Sequence, residues 1–151
     1  MRLRAATAGL TAAIIAAVSL SGCGSSTLSA KALRTRANLL CTTAARRSYR
    51  IATPHANSGG AAFLAQGITI FGSELDALHK LAPPRNLASA YRTSLSDSAQ
   101  QLDALIATHH DLVAGDDPVV AIKQLDVELA AVNARDRAAW RAVGVPACTN
   151  L

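Results

Sequence analysis

Residues 64–82, with the sequence LAQGITIFGSELDALHKLA, carry the pattern that decides the fold. Apolar residues recur there at intervals of four, three, four, three and four. They are Leu64, Ile68, Phe71, Leu75, Leu78 and Ala82. This spacing places them on one face of an α-helix. Residues 68–71, between Gly67 and Gly72, can also be read as a short strand. The longer helical register favours a helix, although each internal glycine costs up to about 1 kcal/mol relative to alanine.

Three further segments repeat this spacing and are predicted to be helices. The first runs from about residue 29 to residue 52, because the residue before Pro54 is pushed out of helical geometry. Its core-facing stripe is Leu33, Ala37, Leu40, Ala44, Arg47 and Ile51. The third helix follows Pro83 and Pro84, and the fourth ends before Pro146. Their stripes run from Leu87 to Leu112 and from Ile122 to Val143.

Local signals at the joints support the same division. Gly115 supplies a left-handed stop for the third helix, and Asp117 before Pro118 is a cap followed by a proline at the first helical position. Ser58 is the predicted cap of the second helix. Four amphipathic helices with short connections predict an all-α fold, an antiparallel four-helix bundle formed by residues 30–151.

Residues 1–22 have the three regions of an export signal. A basic start with Arg2 and Arg4 precedes an apolar stretch, residues 5–20, and small residues follow it. The apolar stretch is shorter than the roughly 20 residues that span a bilayer. We therefore expect a signal peptide that is removed, and we exclude a multi-pass membrane protein.

The end of this segment, Leu20, Ser21, Gly22 and Cys23, resembles the lipobox of bacterial lipoproteins. The resemblance implies cleavage after Gly22, a diacylglyceryl group on the Cys23 thiol, and fatty acyl chains such as palmitate. Two chains anchor firmly, because each buried methylene contributes roughly 0.8 kcal/mol. Residues 23–29 are then a lipidated cysteine with a short polar tether. The protein is expected outside the cytoplasm, anchored to the cell membrane. An ordinary cleaved signal with an incidental cysteine is the alternative.

Two cysteines remain after lipidation, Cys41 in the first helix and Cys148 near the C-terminus. In an exported protein such a pair more often forms a disulfide than not. This one ties the first helix to the C-terminal tail. A metal site is the alternative, but neither cysteine has a CxxC or CxxH partner.

The charge balance is not that of a nucleic-acid-binding protein. The first 22 residues hold two of the 15 basic residues, which leaves 13 basic against 10 acidic residues. Of these 13 basic residues, six precede the first acid, Glu74: they are Lys31, Arg34, Arg36, Arg46, Arg47 and Arg50. A basic first helix is attracted to an anionic leaflet, although a solvated charged face is the simpler interpretation.

Candidate metal ligands and catalytic residues form no complete set. The histidines with nearby carboxylates are His79, His109 and His110 with Asp76, Asp103 and Asp111. A bundle places His79 and His109 at opposite ends, and no GxSxG sequence occurs. We predict no metal, no cofactor and no enzymatic activity.

Asp136 falls on the apolar stripe of the fourth helix, between Val132 and Ala139. A buried carboxylate needs a partner. Arg47 holds the corresponding position on the first helix, so we predict a buried ion pair of Asp136 with Arg47 or Arg50. A ligand-binding charge inside the bundle is the alternative.

The lipobox, the cysteine in the first helix, the Pro83 and Pro84 joint and the final spacing of Gly144 and Cys148 together resemble small alanine-rich lipoproteins of actinobacteria. The resemblance implies location and fold more than function. The leading functional hypothesis is a non-enzymatic cell-envelope protein whose surface contacts another envelope protein or polymer. A small-ligand or lipid-binding module, with a cavity between the helices, is the alternative.

Overall fold

The computed structural model describes residues 27–150, so the predicted signal peptide and Cys23 lie outside the described residues. The predicted all-α, antiparallel four-helix bundle is confirmed. Its elements are α1 (Ala30–Ser48), α2 (Gly60–His79), α3 (Ala88–Ala114) and α4 (Pro118–Val143), with 3₁₀ helices Asn57–Gly59 and Pro146–Asn150. Of the helices described, none combines the length and the apolar character needed to cross a bilayer.

Most helix ends follow the local signals in the sequence. Asp117 accepts hydrogen bonds from the backbone N–H groups of Val119 and Val120, at 2.9 and 3.1 Å, and so caps α4. Gly115 and Gly144 end α3 and α4 with φ of 107° and 83°, a conformation that favours glycine. Ser58 does not cap α2: it lies inside the 3₁₀ helix Asn57–Gly59, and α2 begins after Gly59 without a side-chain cap.

Helix α1 is shorter than predicted, because it ends at Ser48 rather than at residue 52. The chain continues as turns in which Arg50 and Ile51 donate to the carbonyls three residues earlier. Tyr49 and Arg50 are exposed. A helix in a bundle is stabilised mainly by packing of its apolar face. In the last turn predicted from Pro54 only Ile51 is half-buried, so packing adds little there and the helix stops earlier.

The helices pack in chain order, α1 on α2, α2 on α3 and α3 on α4. Within the described residues α1 and α4 make few direct contacts, and the C-terminal segment after α4 lies against both of them. The Arg34 Nε–H donates to the Val143 carbonyl at 2.7 Å, and the Ala147 N–H donates to the Asn38 side chain at 3.2 Å. The tail therefore closes the gap between the first and last helices.

The predicted disulfide is present and fixes this closure. Cys41 and Cys148 are bonded, with their Cα atoms 5.1 Å apart, and both are fully buried. The best-packed part of the core surrounds them, and we call it the closed end. It contains Leu33, Leu78, Tyr91, Trp140, Val143 and Val145. The rings of Tyr91 and Trp140 meet edge to face at 5.7 Å, and the Tyr91 hydroxyl donates to the Leu78 carbonyl at 2.7 Å.

The buried face of α2 is wider than the predicted stripe. Ile70 and Glu74 are buried, whereas Ile68 and Phe71 are half-buried. The reason is that α2 lies between α1 and α3, so that two faces of the helix are covered instead of one. Because two faces of α2 are covered, the acidic side chain of Glu74 lies in the interior.

Candidate functional site

A cavity of about 370 Å³ lies between all four helices, beyond the closed end. The wall of the cavity is mainly apolar, and the cavity opens to solvent on one side. The lining residues are Ala45, Ser48 and Tyr49 of α1 and the turn after it, Leu64, Gly67, Ile70, Phe71 and Glu74 of α2, Gln101 and Leu105 of α3, and Leu129 and Asn133 of α4. We call this region the open end.

Two features of the sequence create the cavity. Helix α1 has 19 residues, whereas α3 and α4 have 27 and 26, so the first helix stops while its partners continue. Gly67 contributes no side chain, and a Cβ atom placed there would meet no heavy atom within 4 Å. The glycine therefore leaves room in the wall, and does not bring two helices into close approach.

Glu74 is the acidic residue of the cavity wall. Its side chain is 5% exposed, and neither carboxylate oxygen has a hydrogen-bond partner within the described part of the chain. Burial, with a smaller contribution from the nearby charge of Asp136, raises the pKa of Glu74 to about 7. A buried carboxylate without donors is costly when ionised. The bundle carries this cost at a position that lines a cavity.

Asp136 is a second buried carboxylate, on α4, and it does not form the predicted ion pair within the described residues. Arg47 and Arg50 are exposed, and Asp136 accepts a hydrogen bond from the Ser98 hydroxyl at 3.3 Å. The predicted pairing with either arginine is therefore wrong. The physical reason is that α1 and α4 barely touch and that Arg47 lies in the last turn of α1, where the side chains are exposed.

Burial raises the pKa of Asp136 to about 6. Polar side chains oppose this effect, because Gln101, Ser98 and Trp140 favour the ionised carboxylate, while the charge of Asp97 adds to the increase. Of these side chains, the Ser98 hydroxyl donates a hydrogen bond to Asp136 at 3.3 Å. Asp136 thus has neutral donors around it, whereas Glu74 has none.

The third buried carboxylate, Asp97, completes the acidic cluster. One of its oxygens accepts from the Arg135 guanidinium at 3.1 Å, and the other is buried without a partner. The Arg135 side chain is 54% exposed, so this pair lies at the surface of the cluster. Among the residues described, this is the only ion pair. Three buried carboxylates therefore have one cation nearby, and that cation contacts only Asp97.

The Glu74 carboxylate also lies close to the disulfide. One of its oxygens and the sulfur atoms of Cys41 and Cys148 all lie within 4.8 Å of one another. The two sulfurs are bonded to each other, so they are not free to ligate a metal. The cysteine metal site considered from the sequence is not formed in this structure.

The histidines and carboxylates considered as metal ligands are dispersed. Asp76 and His79 are exposed on α2, near the closed end. His109 and His110 lie on α3 near the turn into α4, with ring centroids 6.0 Å apart. The structure brings His79 and His109 to different parts of the bundle.

Sequence reasoning missed Glu74 and Gln101, the two polar residues that combine burial with a place in the cavity wall. A signal for Glu74 was present, because Ile70, Glu74 and Leu78 follow one another at intervals of four residues along one line of the helix. Gln101 has the same kind of spacing, three residues after Ser98 and four before Leu105, but a glutamine is usually exposed and so gave no signal of burial.

Comparisons with models of protein families, with curated proteins and with solved structures found no significant match for this chain. The cavity and the buried acidic residue in its wall are therefore the features that bear on function.

Proposed function

We propose that this chain is an extracytoplasmic lipoprotein, held at the cell membrane by lipid on Cys23, whose helical bundle binds a small and mainly apolar molecule in the cavity at the open end. The observation that carries the proposal is the cavity itself, of about 370 Å³ and lined by all four helices.

Its size and chemistry suit a ligand site. Ligand pockets are mostly apolar clefts of roughly 300–1,000 Å³ with a few polar groups, and bundles often form them between helices. An apolar cavity of about 150 Å³ is enough to hold benzene. The present cavity is more than twice that size, and Glu74 and Gln101 supply polar groups in its wall.

Binding is tested with a neutral, environment-sensitive probe, N-phenylnaphthylamine, added to the protein without signal peptide and lipid. Within the described residues the core lies between residues 28 and 148, and cooperative urea unfolding checks that this part folds alone. The account predicts saturable enhancement of probe fluorescence at one site per chain. Absence of saturable binding by the folded protein would contradict the proposal.

Gly67→Leu locates the probe. The new side chain enters the open space beside position 67 and occupies part of the cavity. We expect it to weaken probe binding at least tenfold. Gly72→Ala is the matched control, because it also removes a helix glycine of α2 but lies outside the cavity wall. Equal binding by wild type and Gly67→Leu would place the probe elsewhere.

The anchor is tested separately. We expect Cys23→Ser to abolish incorporation of labelled palmitate and to move the protein from the membrane fraction to the soluble fraction. Retention of label on the Cys23→Ser protein would contradict lipidation at this residue, without bearing on the cavity.

A protein-binding surface is the second candidate function, and one observation favours it. The outer face of α4 exposes several apolar side chains, among them Val119 (52%), Val120 (61%) and Val127 (79%). Exposed apolar residues that lie together often mark interaction surfaces. Charged substitution of Val120 and Val127 would weaken contact with an envelope partner and leave probe binding in the cavity unchanged.

A further inference from the structure

We infer that the molecule bound at the open end is an amphiphilic cation, with its ammonium group held by the Glu74 carboxylate and its apolar part in the space beside Gly67 and Leu129. This inference rests on the proposed function and specifies its ligand class.

The ionisable groups buried in and near the cavity wall are acidic. Glu74, Asp97 and Asp136 are all buried, and one exposed arginine, Arg135, pairs with Asp97. Within the described part of the chain no lysine, arginine or histidine pairs with Glu74 or Asp136. Among the residues that line the cavity, Glu74 is the only acidic one and none is a lysine, arginine or histidine, in a chain whose net charge is +5. A carboxylate without a cation nearby attracts cations and repels anions when it is ionised.

The Glu74 carboxylate lacks a hydrogen-bond donor within the described residues. Both carboxylate oxygens are buried and accept no hydrogen bond, although natural proteins satisfy nearly all such groups. A primary ammonium group supplies three donors and one positive charge. A neutral apolar ligand would leave the carboxylate unpaired, and a fatty acid would bring a further negative charge to the cluster. An ammonium group is the head group that the site lacks.

One movement is needed for contact. One carboxylate oxygen lies within 4.8 Å of the sulfur atoms of the disulfide, and Glu74 is at the same time one of the residues that line the cavity. Pairing with a ligand therefore requires rotation about the side-chain bonds of Glu74 that turns the carboxylate away from the disulfide. Gln101, also in the wall, offers its amide carbonyl as a second acceptor.

The experiment compares decylamine, decanol and decanoate, which share one chain length, as competitors of N-phenylnaphthylamine. A hydrogen bond to a charged group corresponds to roughly tenfold to hundredfold in affinity. We therefore expect decylamine to displace the probe at a concentration at least about tenfold below that of decanol, with decanoate the weakest. Glu74→Gln should remove the preference for decylamine over decanol.

Asp76→Asn is the matched control, because it removes one negative charge from the same helix at an exposed position. It should retain the amine preference, which distinguishes pairing at Glu74 from a general attraction of cations. Equal binding of decylamine and decanol to the wild-type protein, or tighter binding of decanoate, would overturn the inference while the proposed function stands. If no chain compound and no probe binds, both fail. The wild-type comparison decides the matter even if Glu74→Gln does not fold.

Discussion

The two ends of the bundle are built from similar helices but differ in how completely they are packed. At the closed end Leu33, Val143 and Val145 have no exposed surface, and a disulfide ties the tail to α1. At the open end the same helices enclose a cavity, and its wall includes Glu74, whose buried carboxylate has no partner within the described residues. One end has the packing of a scaffold, whereas the other tolerates a void and a buried charge, as functional sites do.

The largest effect should come from removing the disulfide of the closed end. Cys41 and Cys148 are 107 residues apart, and the chain-entropy model gives up to about 4.7 kcal/mol for a loop of this size. We expect the Cys41→Ser/Cys148→Ser variant to lose most of this amount in the free energy of unfolding, measured with urea. Intact mass gives the control, since wild-type thiols should take up an alkylating label only after reduction. Labelling of Cys41 and Cys148 before reduction would show that the two cysteines are not bonded in the protein.

A matched pair of leucines compares the ends directly. Leu78 is 2% exposed at the closed end, whereas Leu129 borders the cavity. Leucine-to-alanine substitutions cost about 2–5 kcal/mol, and the cost rises with the new void. We expect Leu78→Ala to destabilise the protein by about 4 kcal/mol and Leu129→Ala by about 2 kcal/mol, since the void beside Leu129 already exists. Equal losses in urea unfolding would mean that both ends are packed alike.

The buried carboxylate of the open end should make stability depend on pH. The pKa of Glu74 rises from 4.5 in the unfolded chain to about 7 in the folded one. The folded protein therefore holds the proton more tightly, and its stability falls as pH rises from about 4.5 to about 7. Glu74→Gln should be the more stable protein above this range, by up to about 3 kcal/mol, and no more stable below it.

The measurement is urea unfolding of wild type and Glu74→Gln across this pH range. Taking the difference between the two proteins cancels most of the contribution of other titrating groups. The charge of Asp136 contributes to the raised pKa of Glu74, so its effect stays in the difference. Asp76→Asn, exposed on the same helix, should show no such pH-dependent gain. A Glu74→Gln protein that is less stable than wild type above about pH 7 would show that the charge has a partner in solution.

The smallest predicted effect concerns the two glycines of α2. Each costs a helix up to about 1 kcal/mol relative to alanine, and neither has a positive φ. Gly67→Ala and Gly72→Ala should therefore both stabilise the protein by roughly 0.5–1 kcal/mol. Only Gly67→Ala should also reduce probe binding, by a small factor, because its methyl group projects into the cavity. Destabilisation by Gly67→Ala would indicate that the open end closes around this position.

The sequence was sufficient for features that depend on local chemistry. The four helices, the joint with Gly115 and Asp117, and the pairing of two cysteines each follow from a short pattern with one physical cause. The end of α1 was predicted too late, because Pro54 marks where a helix must have stopped and not where its packing ends.

The site could not be predicted in the same way, because it depends on which helices flank one another. Asp136 was correctly recognised as buried, but its partner was sought on α1, whereas α3 supplies it through Ser98. Glu74 is buried because α2 is covered on two sides. The cavity arises from a difference in helix length and from Gly67, and neither leaves a motif in the sequence.

The most direct test of the account is a titration of the isotopically labelled protein with decylamine, followed by two-dimensional amide NMR. The account predicts that the largest shift changes occur at the open end, at Gly67, Gln101 and Leu129, while Leu33 and Val143 of the closed end stay nearly unchanged. Changes concentrated on the exposed valines of α4, or spread evenly over both ends, would contradict a ligand site in the cavity.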